Sequence, residues 1–397
     1  MKKKLITMIS MVAVVAMLVF SLAACGNGSS DGGAPTGSGS GSAPAPSTGS
    51  IKIGVLVADV SGEEAQGFRS YYENYIAPNY DVQFVYTEQL SDAASEKSAI
   101  EKFASQGCAA ILSLSSSDRA LQIETCEENE IYYAIVSGML DDAQYEQYKG
   151  YEYFLGQVGP SMETEYQAGY EMGKYFAETG AKKIAMYGAF IPNPMHVYRA
   201  AGVLAGIGAT YGGTSDMGAV VGQIFGDQGI DLSKVQGNGV ELVSYFQGYG
   251  DTTADELNAA IQANPDAFLS VGMATTFFAQ QLSTANIPFS DIDSFTSANN
   301  ASMKDGSLVY LAGKYSSSIG PVFALVLNAI NGNVIRDAEG NAVSVSQGFR
   351  VATTAEEFDN LVKNDSGENP IFSKEVLDTV ISGTATYDDF VALVESN

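Results

Sequence analysis

The sequence predicts an α/β protein of two doubly wound, mainly parallel-sheet lobes joined by a hinge. Three observations carry that prediction. Short β-branched runs alternate with amphipathic helical stretches, the rhythm of strand–helix–strand units and not of hairpins. About 350 residues follow position 50, more than one hydrophobic core comfortably serves, so two lobes are expected. With 46% hydrophobic and 10% aromatic residues, the chain is far too apolar to stay disordered.

The elements follow in order. Residues 51–58 (IKIGVLVA) form a short apolar run of the kind buried on both faces of a parallel sheet. A helix is expected from Ser91 to Gln106, with Ser91 and Asp92 as cap candidates, Ile100, Phe103 and Ala104 as its apolar stripe, and Gly107 as its stop. Residues 109–114 read as a strand, Leu121–Glu128 as a helix, Tyr132–Val136 as a strand, and Phe154–Val158 as the strand that closes the first series. The second series opens with a helix over Ser161–Thr179, stopped by Gly180, in which Gly169 and Gly173 make a flat face for close packing. Strands over Lys183–Tyr187, Gly239–Val243 and Ala267–Val271 follow, with a helix at Ala254–Ala263. Further helices are expected at Ser373–Ile381 and Tyr387–Val394. This places 51–158 plus 315–345 in a first lobe and 159–314 plus 346–397 in a second. Hinge segments fall near 156–160, 313–316 and 343–351. In doubly wound sheets ligands sit beyond the carboxyl ends of the strands, which puts the site between the lobes.

Composition excludes several functions. Acids outnumber bases 46 to 20, giving a net charge of −26, so neither nucleic acid nor an anionic bilayer is held by charge. One histidine (His196) and three cysteines leave little for a metal site, and no cofactor is implied. Gly169–Lys174 is one residue short of the phosphate-loop spacing and lies within a helical pattern, and no GxGxxG, HExxH or GxSxG motif occurs. Acid pairs such as Glu63-Glu64, Glu127-Glu128 and Asp141-Asp142 read as solvated surface. The chain reads as a binder and not an enzyme; a cell-wall hydrolase would need a carboxylate pair that meets only in three dimensions. Cys108 and Cys126 are either two buried thiols or, in an oxidising compartment, a disulfide.

The first 50 residues carry an address. Three lysines, an apolar run from Leu5 to Phe20 and a small-residue stretch make residues 1–24 a secretory signal. Leu22-Ala23-Ala24-Cys25 resembles a bacterial lipobox, which implies lipidation of Cys25 and anchoring at the extracytoplasmic face of the cell membrane. Residues 25–50, Gly/Ser/Pro-rich after that Cys, form a leash whose typical reach is about 25–30 Å.

Several segments resemble the type I periplasmic binding proteins, solute receptors of ABC importers. Residues 169–177 with 182–188 (GYEMGKYFA and KKIAMYG) are similar to the start of that family's second lobe, and Asp305-Gly306, Ala312, Gly320 and residues 329–332 to its lobe crossover. The resemblance covers roughly 51–345. Ser137-Gly138 and Gly272-Met273 stand where the sugar receptors carry amide or acid pairs. Residues 57–62 (VADVSG) with Phe68-Arg69, residues 188–206, and residues 245–251 instead resemble the basic membrane protein branch, which binds purine nucleosides. That likeness implies Asp59 and Lys314 on a ribose and Phe68 against a base, with Arg69 and Ser61 at two positions that depart from the branch's pattern. It also implies partners: an ABC permease with its ATPase subunits.

The residue chemistry is compatible with that expectation. A flat base stacks on an aromatic face for about 1–3 kcal/mol, which Phe68 and Phe277 or Phe278 can provide. Hydroxyls favour charged partners, which Asp59 and Lys314 can supply. Ser115, Ser116 and Ser117 end a strand, so one of them is expected to reach the cleft; Ser137 and Met273 follow two other strands. Each has a plainer alternative: Phe68 as core, Asp59 as a helix cap, Lys314 as surface. Arg199 reads as a helix-anchoring ion-pair residue. Alternatives in ligand and role are a free sugar or signal molecule, for transport or for sensing.

Overall fold

The structure is a computed structural model that describes residues 50–395 except Ala189, Pro192, Asn238, Tyr249 and Ser366. The signal segment, the lipobox Cys25 and the leash lie outside the described residues, all but Ser50. Fourteen strands are present: β1 (Ile51–Val57), β2 (Val82–Tyr86), β3 (Ala110–Leu114), β4 (Tyr132–Val136), β5 (Phe154–Gly159), β6 (Lys183–Tyr187), β7 (Thr210–Tyr211), β8 (Val235–Gln236), β9 (Glu241–Phe246), β10 (Ala267–Ser270), β11 (Phe289–Ser294), β12 (Leu308–Lys314), β13 (Val343–Ser346) and β14 (Arg350–Ala352). They form two six-stranded sheets, ordered β13-β5-β4-β3-β1-β2 and β14-β12-β11-β10-β6-β9, plus the small β7–β8 pair. All pairings in the first large sheet are parallel, and in the second only β14 runs antiparallel. Helices cover both faces of each sheet, the arrangement that strands apolar on both sides require.

Local signals set most elements. The Ala93–Ser105 helix is capped by Asp92, whose carboxylate accepts from Ser95 N. Ser161 caps Met162–Thr179, and Gly180 ends it at φ +101°, a conformation glycine adopts without strain. The flat glycine face is used fully. Gly169 and Gly173 lie against the backbone of the Pro194–Gly206 helix, while Gly202 and Gly206 lie against the backbone at Tyr166 and Tyr170. A Cβ at any of the four would collide with a carbonyl oxygen, so the two helices touch backbone to backbone.

The chain passes between the lobes after β5, after β12 and between β13 and β14. A fourth passage was not expected. The Ala355–Asn364 helix packs on the second lobe through Phe358, but Phe372, Leu377, Val380, Phe390 and Leu393 lie in the first lobe's core. The expected assignment of 346–397 to the second lobe therefore fails for residues 372–394. Its cause is the Gly320–Ile330 helix, which is buried from Gly320 through Ala329. A helix apolar all round must be covered on its outer side as well, and the C-terminal tail covers it. Tyr71 Oη donates to the Phe372 carbonyl at 2.6 Å, Tyr75 Oη accepts from Lys374 N at 2.8 Å, and Asn328 Nδ2 donates to the Val380 carbonyl at 2.8 Å. Within the tail, the helix expected over Ser373–Ile381 is confined to Lys374–Leu377. Cys108 and Cys126 are both free and buried.

Candidate functional site

The carboxyl ends of β1, β3 and β4 open into a cavity of about 260 Å³, which the end of β12 also lines. Asp59, Phe68, Arg69, Ser137 and Lys314 all face it, together with Glu64, Tyr86, Ser116 and Arg119. Asp59 follows β1 and folds back on its own loop. Its Oδ1 accepts from Ser61 N at 2.9 Å and Ser61 Oγ at 3.2 Å, and Oδ2 from Gly62 N at 3.1 Å. The Ser61 amide, first among these bonds, holds the carboxyl below its ordinary range. Asp59 is thus both a loop clamp and part of the wall, while Ser61 holds Asp59 and does not line the cavity. Phe68 likewise has two roles, 3% exposed in the core with one face on the cavity. Arg69 pairs with Glu73 at 3.0 Å and lies 4.4 Å over the Tyr86 ring, flattened against the rim.

Besides Ser61, three expected residues stand off the cavity. Ser115 turns away from the cleft and donates to the buried Glu96, which also accepts from the amides of Ser117 and Asp118 at 3.0 Å each. Ser116 takes its place in the wall. Met273 (40% exposed) precedes the Ala274–Thr284 helix and Phe277 (45% exposed) lies on it, and neither lines the cavity. Phe278 is core, its ring edge-on to Tyr187 at 4.8 Å.

The sequence reading missed Arg119. This guanidinium starts the Arg119–Glu128 helix behind the Asp118 cap, donates Nη1 to the Met139 carbonyl at 2.8 Å and lies over Gly138. Its Nε and the Tyr86 hydroxyl are buried without partners. Both residues line the cavity, although these two atoms themselves lie beneath its surface. The legible signal was a capping Asp followed by a cation just past a strand's carboxyl end.

The lobes meet beside the cavity. Ser294 Oγ donates to Glu64, and Ser297 donates its amide and hydroxyl to Glu63, at the first turn of the Ser297–Lys304 helix where a carboxylate is favoured. Behind Ser294, Arg199 pairs with Glu165 at 2.6 Å, both buried, and donates to the Val271 and Ile292 carbonyls at 2.7 and 3.2 Å. Asp291, wholly buried, accepts from Ser270 Oγ at 2.9 Å and the Thr275 and Ile292 amides at 3.1 Å each; burial pushes its carboxyl up to about 7. Burial lowers His196 to about 4. No cluster of His, Cys, Asp or Glu suited to a metal occurs among the described residues.

Two six-stranded, mainly parallel lobes with a cavity at their strand ends are the arrangement of the type I periplasmic binding protein fold. Solved structures bear this out. A solute-binding protein from Actinobacillus succinogenes 130z with bound D-allose matches with a TM-score of 0.58 at 15% identity, over 78% of this chain and 99% of its own. An arabinose-binding protein from Geobacillus stearothermophilus gives 0.57 at 13% identity, over 78% and 99%. A solute-binding protein from Bacillus halodurans C-125 with bound myo-inositol gives 0.54 at 15%, over 80% and 99%. No protein-family profile and no curated protein matches the sequence.

Proposed function

We propose that the chain is the substrate-binding component of an ABC importer, capturing a sugar-sized hydroxylated ligand between its lobes. The observation that carries this reading is the cavity of about 260 Å³ at the strand ends, lined by the polar side chains of Asp59, Ser116, Arg119, Ser137 and Lys314. The ligands named for structures of similar fold, D-allose and myo-inositol among them, favour a monosaccharide over a nucleoside. Capture works by bonding both lobes at once, which shifts an open–closed equilibrium toward closure. Asp59, Arg119 and Ser137 serve the first lobe in this scheme, and Lys314 the crossover. Lipidation of Cys25 would hold the receptor at the membrane beside a permease and its ATPase subunits; Cys25→Ser is expected to release it to the soluble fraction.

The test is a thermal shift of the full chain against sugars, nucleosides and amino acids. A ligand present at a thousand times its Kd adds about 4 kcal/mol to stability, a rise of several degrees. Shifts with sugars that Lys314→Ala weakens support the proposal. Shifts with nucleosides alone return the protein to the nucleoside branch, for which the aromatic wall at Phe68 speaks. Silence in all three classes overturns the sugar reading.

A further inference from the structure

Five charged side chains line the cavity, and three are already engaged. Asp59 is held by Ser61 and Gly62, Glu64 bonds Ser294 across the cleft, and Arg69 is paired with Glu73. The remaining two are both cations. Lys314 has no hydrogen-bond or ion-pair partner among the described residues, although it borders the cavity and two smaller recesses beside it. Arg119 gives one bond to a carbonyl and leaves Nε buried and unpaired. Glu96 acts on Arg119 electrostatically, but its oxygens are occupied by Ser115, Ser117 and Asp118. In a chain with 46 acids and 20 bases, two cations face one cavity with no carboxylate bonded to either.

We infer that the captured ligand carries an anionic group, a carboxylate or phosphate on a hydroxylated ring, received by Arg119 and Lys314. The inference rests on the sugar-receptor reading above and narrows it from sugars to acidic sugars. A neutral hydroxyl can accept from either cation, but bonds between ions are roughly twice as strong as those to neutral groups. A guanidinium receives a carboxylate and a phosphate alike, so the acid and phosphate arms of the test distinguish the two sources. Because the rest of the chain is acidic, capture would depend on these two local charges and would weaken as salt screens them.

The experiment is calorimetric titration of the full chain with a neutral sugar, its uronic acid and its 6-phosphate, in matched sets based on glucose, galactose and allose. The expected result is at least tenfold tighter binding of an acid than of its neutral parent, falling as salt is raised. Lys314→Gln should lose that preference while leaving the melting temperature unchanged, because the Lys314 side chain bonds nothing among the described residues. Preference for the 6-phosphate also supports the anionic ligand and identifies its source. Neutral sugars binding as tightly as their acids would overturn the inference and leave the sugar-receptor reading standing. Absence of binding by every sugar, neutral or charged, would overturn both.

Discussion

Ser294 on the second lobe donates its hydroxyl to Glu64 on the first, and this bond, with its neighbour between Ser297 and Glu63, holds the cleft shut beside the cavity. Both acids lie in the first turn of one helix, so a single turn of the first lobe grips the second. Their hydrogen bonds are partly exposed, where net contributions are about 1 kcal/mol each.

Removing the grip should open the molecule. The Glu63→Gln, Glu64→Ala double variant is expected to show a larger ligand-free radius of gyration in X-ray scattering, and a ligand should restore the compact value. An unchanged radius would mean that the lobes are held by other contacts.

The glycine contact between the two long helices of the second lobe should tolerate no side chain. Gly202→Ala places a methyl against the Tyr166 carbonyl, and Gly206→Ala does the same at Tyr170. Overpacking of this kind costs about 1–3 kcal/mol, seen as a melting temperature lower by several degrees. Gly222→Ala, in a helix where an added Cβ meets nothing, is the control and should be neutral or slightly stabilising.

Arg199 and Glu165 form a buried pair, with side chains 6% and 4% exposed. Removing one partner leaves the other charge buried and unpaired, a loss of about 3–5 kcal/mol. Glu165→Ala is therefore expected to lower the urea midpoint sharply, whereas replacing both residues by apolar ones should cost less than the single change. Equal losses would show that packing, not charge, dominates there.

Two buried groups set opposite pH slopes. The Asp291 carboxyl, raised to about 7, stays protonated in the folded state where the unfolded state has lost its proton, so stability falls as pH rises from about 4 to about 7. His196, lowered to about 4, is neutral when folded and charged when unfolded below about 6.5, so its contribution is lost as pH falls from there to about 4. Over their common range the two oppose each other. Asp291→Asn removes the first slope, and its melting temperature is expected to climb from pH 4.5 to 6.5 more steeply than the parent's. Parallel profiles would refute the assignment.

The alternating apolar runs made both lobes legible, because β1, β3, β4, β5, β6 and β10 are apolar segments bounded by clear stops. Strand β11 was not legible, since its sequence FSDIDS carries two acids and two serines where an interior strand is expected to be apolar. The buried Asp291 in it is held mainly by tertiary partners, Ser270 and the Thr275 amide. At the site, Asp59, Phe68, Arg69, Ser137 and Lys314 were found because they follow strand ends or resemble a known pattern. Of the three serines expected after β3, Ser116 and not Ser115 reaches the wall, because the turn points alternate residues in opposite directions and a buried glutamate from a neighbouring helix bonds Ser115. Arg119 was missed for a related reason: its helix begins two residues earlier than the apolar spacing implied.

The tail stitched to Tyr71, Tyr75 and Asn328 has a consequence for how the molecule comes into being. Domains usually mature in the order in which they leave the ribosome. Here the first lobe awaits residues 372–394, since its apolar Gly320–Ile330 helix stays uncovered on its outer side until they exist. The strands of the second lobe can pair before that cover arrives. A chain still being made would therefore expose its stickiest helix until this segment is present, an opportunity for chaperones and proteases that closes only when residues 372–394 dock.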